Sequence, residues 1–220
     1  MKFTENEIRN AMLLYAITDR SWLKEGESLA GVCENVLKNG ATFLQIREKD
    51  LDGDAFEKEA GELKELCGRY HVPFVVNDSV EIAMDIGADG VHVGQSDIRG
   101  RDIRAMIGPD KILGISAGTV EEARAAENAG ADYIGVGAVF GTSTKKDARN
   151  LTIEKLQEIS GSVSIPVVAI GGINRGNVKE LKGSGVDGIA VISAIFAAED
   201  PGQAARELLE LSKETVYGNE

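Results

Sequence analysis

"NGATFLQ" (39–45), "IGADGVHV" (86–93) and "AGADYIGV" (129–136) share one phrase, and "SGVDGIAV" (184–191) is a fourth copy. Each reads as a helix end, a glycine, a small residue and then a strand. That order is the join of a repeated βα unit. Working outward from these joins, short β-branched runs recur at 13–19, 42–47, 73–78, 90–94, 111–116, 133–139, 166–172 and 188–195. The runs are near-continuously apolar rather than alternating, as expected for parallel strands covered on both faces.

Amphipathic segments lie between the runs. Leu29, Val32, Cys33, Val36 and Leu37 follow helical spacing before a stop at Gly40, and Phe56, Ala60, Leu63 and Cys67 form a similar stripe. Thr119 and Glu122 have the spacing of a capping box ahead of a helix that ends at Gly130. "NVKELKGSG" (177–185) continues the helical pattern, "DIRGRDIRAMIG" (97–108) carries it weakly, and Pro201 opens a last helix. Eight strands and eight helical segments predict an α/β fold, a TIM (β/α)8 barrel. It would form one domain over 1–220, with a short N-terminal extension at about 1–12. An open doubly wound sheet is the alternative. The even repeat and the absence of GxGxxG after the first strand favour the barrel.

The chain has 220 residues, with 24 Lys plus Arg against 36 Asp plus Glu, a net charge of −12. That balance disfavours nucleic acid or an anionic membrane as partner and leaves room for a small anion in a locally basic pocket. Two cysteines without metal-ligand spacing suit a reducing, cytoplasmic setting. "MKFTENEIRN" lacks the apolar segment of a secretory signal, and no apolar run is long enough to span a bilayer. The oligomeric state, including a homo-oligomer, stays open.

In a barrel, chemistry gathers at the C-terminal ends of the strands. There the sequence places Gln45, Arg47, Glu48 and Lys49; Asn77 and Asp78; Gln95 and Asp97; Ser116; Thr142, Ser143, Thr144, Lys145 and Lys146; Gly171 and Gly172; and Ile192, Ser193 and Ala194. Arg offers a fork and Lys a point charge for phosphate oxygens. Asp78 and Asp97, on neighbouring loops, have the chemistry for Mg²⁺, which takes one or two carboxylates plus phosphate and water. Each could instead cap a following helix. Gly172 and Ser193 fit the fold's recurrent phosphate cup. "GTSTKK" (141–146) has the reverse order of a P-loop, yet its hydroxyls and lysines could still cradle an anion. His92 alternates with Val91 and Val93, and its facing depends on register. A hydrogen-bonded core histidine is favoured over a base. No nucleophile–base pair is evident.

Together "YAITDR" (15–20), "QIREKD" (45–50), "VND" (76–78), "DGVHVGQSD" (89–97), "GISAGT" (114–119), "GTSTKKD" (141–147), "AIGGI" (169–173) and "VISAI" (191–195) resemble the thiamine-phosphate synthase family in order and spacing. The resemblance implies a transferase that forms a C–N bond between an aminopyrimidine methyl diphosphate and a thiazole phosphate, releasing pyrophosphate. It implies that Gln45, Ile46, Arg47, Glu48, Lys49, Asn77, Ser116 and Lys145 hold the pyrimidine diphosphate. Arg47, Lys49, Ser116 and Lys145 would be the catalytic members. Thr142, Ser143, Thr144, Gly172, Ile192 and Ser193 would hold the thiazole phosphate, and Asp78 and Asp97 one Mg²⁺ per subunit. Ala138 and Gly141 stand where the family often has proline. Gly118 stands where it often has histidine, which argues against the related thiazole tautomerase. A phosphosugar isomerase or lyase, or a non-catalytic binding protein on the same barrel, are the other readings.

Overall fold

A computed structural model describes residues 3–141 and 151–218. Eight parallel strands close into a barrel in chain order, with β1 hydrogen-bonded to both β2 and β8. They are β1 (Leu14–Ile17), β2 (Phe43–Ile46), β3 (Phe74–Asn77), β4 (Gly90–Val93), β5 (Ile112–Ala117), β6 (Tyr133–Gly137), β7 (Val167–Ile170) and β8 (Gly188–Val191). The helices are α1 (Glu5–Ala11), α2 (Leu29–Lys38), α3 (Gly53–Tyr70), α4 (Val80–Asp85), α5 (Ile103–Ile107), α6 (Val120–Asn128), α7 (Ile153–Ser160), α8 (Ser193–Phe196) and α9 (Pro201–Tyr217). Closure settles the barrel against the open sheet.

The repeated phrase has a mechanical role. Gly40, Gly87 and Gly130 follow the caps of α2, α4 and α6 at positive φ, where a side chain would be strained. The polar residue two positions on then stitches the floor. Thr42 Oγ1 accepts from Leu14 N at 2.8 Å, Asp89 Oδ2 from Phe74 N at 3.0 Å, Asp132 Oδ2 from Leu113 N at 2.7 Å and Asp187 Oδ2 from Val167 N at 2.8 Å. Each bond satisfies an N–H at the start of the preceding strand.

Two apolar layers result. One lies between strands and helices and includes Leu44, Ile46, Val76, Val91 and Ile134. The other fills the barrel with Tyr15, Phe43, Val75, Ile112, Tyr133, Val168 and Ala190. Ile8, Ala11 and Met12 join this inner layer, so α1 plugs the floor. The described part of the N-terminal extension therefore supplies part of the core. Its cue is "TENE": Thr4 and Glu7 form a reciprocal capping box. Three expectations change in detail. Residues 178–181 form a 3-10 turn rather than an α-helix. The final strand stops at Val191, and 193–196 is helical. At α6, Thr119 caps Glu122 N, but the Glu122 carboxylate accepts from Gly118 N at 2.6 Å, so the reciprocal half of that box is not made.

Cys33 and Cys67 are free, fully buried thiols whose pKa values are pushed up by burial. Thiolate is the reactive form, so both should resist iodoacetamide at pH 8 in the folded protein and react in urea. Mass spectrometry showing modification of the native protein would contradict this packing.

Candidate active site

The end of β2 is held from three sides. Thr18 N donates to Gln45 O at 3.0 Å, and Thr18 Oγ1 accepts from Arg47 N at 3.0 Å. Arg20 donates to Glu48 Oε2 at 2.9 Å and, on α3, to Glu59 Oε2 at 2.5 Å. Strand alternation turns Gln45 inward and buries Ile46 among the outer helices. Any part Ile46 plays toward a ligand is thus through its backbone. The Glu48 side chain is only 2% exposed; burial pushes its pKa up, against the opposing Arg20, and Oε1 has no hydrogen-bond partner among the described residues. Glu48 thereby acts as a strut between β2 and Arg20. Arg47 stays half-buried and Lys49 exposed on the rim.

The neighbouring β3 and β4 loops carry the two aspartates. Ser79, not Asp78, caps α4, accepting from Ile82 N at 3.3 Å. Asp102, not Asp97, caps α5. Helix capping therefore explains neither aspartate. Asp78 sits at φ 63°, the left-handed region, with its N–H donating to His92 O at 2.8 Å. Non-glycine residues held there are enriched at functional sites. Asp97 Oδ2 accepts from Gly94 N at 2.8 Å, which folds the loop. Gln95 Nε2 donates to Ser116 O at 2.6 Å and ties this loop to the end of β5. Among the described residues, no three or more His, Cys, Asp or Glu side chains converge as a metal cluster. Two carboxylates on adjacent loops remain a donor set suited to a hard cation that keeps water and phosphate ligands.

The far side of the rim is built by close backbone contact. Val139 N donates to Ile170 O and Phe140 N to Gly171 O, each at 3.0 Å, and Leu151 N returns to Ala138 O at 2.7 Å. The Gly137–Ala138 peptide is cis. Gly172 lies at φ 65°, and a Cβ there would overlap Gly141 O. Ile192 leads into α8, whose first residue is Ser193 and which no side chain caps. Thr142, Ser143, Thr144 and Lys145 lie outside the described residues.

Beneath the rim runs a feature that sequence reasoning missed. Gln45 Nε2 donates to Tyr15 Oη at 2.6 Å, and Tyr15 Oη lies 2.7 Å from Tyr133 Oη. Tyr133 Oη meets His92 Nδ1 at 2.9 Å, and His92 Nε2 meets Ser116 Oγ at 2.9 Å. Burial pushes both tyrosine pKa values up, so both stay hydroxyls. His92 thus faces inward as a hydrogen-bonded histidine. The available cue was two tyrosines inside apolar strands, since a buried tyrosine needs a partner for its hydroxyl.

The thiamine monophosphate synthase family model matches residues 14–195, which span every strand and every rim segment above. The chain belongs to the thiamine monophosphate synthase family. Relatives named thiamine-phosphate synthase include one from Clostridium tetani, 48% identical over 195 residues, covering 89% of this chain and 93% of that protein. Another, from Methanobrevibacter smithii, is 47% identical over 197 residues, covering 90% and 93%. Among solved structures, a thiamine phosphate pyrophosphorylase from Pyrococcus furiosus superposes with a TM-score of 0.86 at 41% identity, covering 95% of this chain and 99% of that one. In this member of the thiamine monophosphate synthase family, Arg47 and Lys49 follow β2, Asn77 and Asp78 stand at the end of β3, Asp97 follows β4, Ser116 lies near the end of β5, Gly172 follows β7 and Ile192 and Ser193 follow β8, all at the same end of the closed barrel.

Proposed function

We propose that this rim condenses 4-amino-2-methyl-5-(diphosphomethyl)pyrimidine with 4-methyl-5-(2-phosphoethyl)thiazole to give thiamine phosphate and pyrophosphate, or with its carboxylated precursor to give the same products plus CO2. Thiamine-phosphate synthesis, a transferase reaction, is the activity of the family, and relatives at 48% identity over nearly the whole chain carry that name. The observation that supports the detail is the composition of the rim: cations, hydroxyls and a pair of carboxylates, with the one described histidine of the barrel engaged by Tyr133 and Ser116.

That inventory suits a dissociative substitution. The methylene C–O bond breaks, and its electron pair leaves with the diphosphate. The electron-rich aminopyrimidine stabilises the cation. The thiazole nitrogen lone pair then forms the C–N bond, and no protein nucleophile is required. Arg47, Lys49, Lys145 and Ser116 stabilise charge growing on the leaving oxygens. Gln45, the Ile46 backbone, the Glu48 strut and Asn77 position the pyrimidine. Thr142, Ser143, Thr144, Gly172, Ile192 and Ser193 seat the thiazole phosphate, which fixes the two reacting atoms in line. Asp78 and Asp97 would hold one Mg²⁺, which when bound supplies charge neutralisation to the diphosphate. No helix among the described residues is long and apolar enough to cross a membrane. Two buried free thiols are in keeping with a cytoplasmic setting.

Incubation with both substrates and Mg²⁺ should release pyrophosphate and thiamine phosphate in equal amounts, and EDTA should abolish release. No pyrophosphate with Mg²⁺ present would overturn the reading. Turnover unchanged by EDTA would overturn the metal assignment alone.

A further inference from the structure

The five side chains beneath the rim form one line, Gln45–Tyr15–Tyr133–His92–Ser116. Gln45, Tyr15 and Tyr133 are each at most 2% exposed, so bulk water does not compete for the bonds among these three. Space for the line is built into the neighbouring strands. A Cβ at Gly114 would strike the Tyr133 ring and lie 2.5 Å from His92 Nδ1, and one at Gly135 would lie 3.3 Å from His92 Cε1. The aromatic packing is equally tight, with Tyr15 and Phe43 ring centres 4.4 Å apart.

Each hydroxyl in such a line has one proton to give, and a neutral imidazole has one N–H. The line therefore has a sense. With the Gln45 amide nitrogen donating to Tyr15, Tyr15 must donate to Tyr133, and Tyr133 to His92 Nδ1. His92 then carries its proton on Nε2 and donates to Ser116 Oγ. That leaves the Ser116 hydrogen with no acceptor inside the line, free to point to the rim. Reversing the amide reverses every bond and draws the Ser116 hydrogen back to His92. The Gln45 amide takes the first orientation, and that sense is the one that offers a donor to an anion at the rim.

We propose that Tyr15, Tyr133 and His92 are positioning residues that act through Ser116, and that Gln45 sets the sense of the line so that the Ser116 hydroxyl is a committed donor to the departing diphosphate oxygen. The diphosphate part rests on the function proposed above; the sense of the line does not. Bonds in one sense polarise one another, so the terminal hydroxyl donates more strongly than an isolated serine.

The line can be read without substrate. The protein has two histidines, His71 and His92. In protein labelled with ¹⁵N-histidine, with His71→Gln used to assign signals, the His92 resonances should report the Nε2–H tautomer. Gln45→Glu places a carboxylate that can only accept from Tyr15, so the line should reverse and His92 should switch to Nδ1–H. With substrates, Tyr133→Phe removes one oxygen and should lower kcat by about tenfold with little change in KM. In a Ser116→Ala background the same change should have no further effect, since residues acting as one unit are not additive. A wild-type Nδ1–H tautomer or an imidazolium would overturn the sense. Full additivity of Tyr133→Phe with Ser116→Ala would overturn the positioning role. Should Tyr133→Phe fail to fold, the wild-type and Gln45→Glu tautomers still decide. A protein that showed the tautomer switch but no pyrophosphate release would refute the proposed reaction and keep the line.

Discussion

Replacing Arg47 with alanine should lower turnover by about 10²–10³ while leaving the melting temperature nearly unchanged. The magnitude is that of losing one donor aimed at developing transition-state charge, about 3–4 kcal/mol. The stability half follows from the contacts. Among the described residues Arg47 makes no ion pair, and its position is fixed through its backbone N–H on Thr18. Arg47→Ala therefore removes little that the described residues of the folded chain use. Lysine at this position keeps the charge but loses the bidentate fork, so Arg47→Lys should recover only part of the rate. Pyrophosphate release under saturating substrates and a thermal melt check both halves. Turnover within threefold of wild type would remove Arg47 from the reaction.

Asp132→Ala should do the reverse. Asp132 lies just before β6, at the floor, while Gly137 at the other end of the strand reaches the rim. Its carboxylate accepts from Leu113 N at 2.7 Å and from Arg104 Nη2 at 2.6 Å, and its side chain is 14% exposed. Alanine strands a backbone donor at the start of β5 and leaves Arg104 with carbonyl partners alone, among them Gly108 O and Lys111 O. An unsatisfied buried donor and a broken, partly buried ion pair together cost about 2–4 kcal/mol. For a chain of this size that is a fall in Tm of roughly 5–15 °C. The rate per folded molecule should hold. A melting temperature within 2 °C of wild type would show that this stitch is dispensable.

These two changes separate what the sequence made readable from what it hid. The strands were readable because burial on both faces writes an uninterrupted apolar run, and the joins because Gly40, Gly87 and Gly130 must adopt positive φ. The meaning of the polar residue after each join was not. A strand-start aspartate bonded to the previous strand leaves no periodic trace. The floor helix was masked by its length, seven residues, too short for an amphipathic pattern to stand out. At 177–185 two glycines weaken the helix, and the backbone tightens to a 3-10 turn instead.

Within the site, the rim cations and carboxylates were visible as residue types following strands. Their supports were not. Arg20 reaches Glu48 across 28 residues and Glu59 across 39, and nothing local announces either pair. Asp78 and Ser79 are both good N-caps, so only geometry could assign the cap to Ser79. Tyr15 and Tyr133 read as apolar members of strands, and the side His92 faces follows from barrel register, which the sequence leaves open.

The plug formed by α1 also bears on how the chain is made. Arg9 pairs with Asp187 at 2.7 Å, and Ser212 Oγ donates to Leu13 O. The first helix and one edge of the first strand thus find part of their lasting partners beyond residue 180. At about 5–20 residues per second, a ribosome exposes β1 for many seconds before β8 can close against it. Throughout that interval one side of β1 is an unpaired edge, the kind of surface that recruits neighbouring chains. The nascent barrel is therefore most vulnerable at β1, and synthesis of β8 is what relieves it.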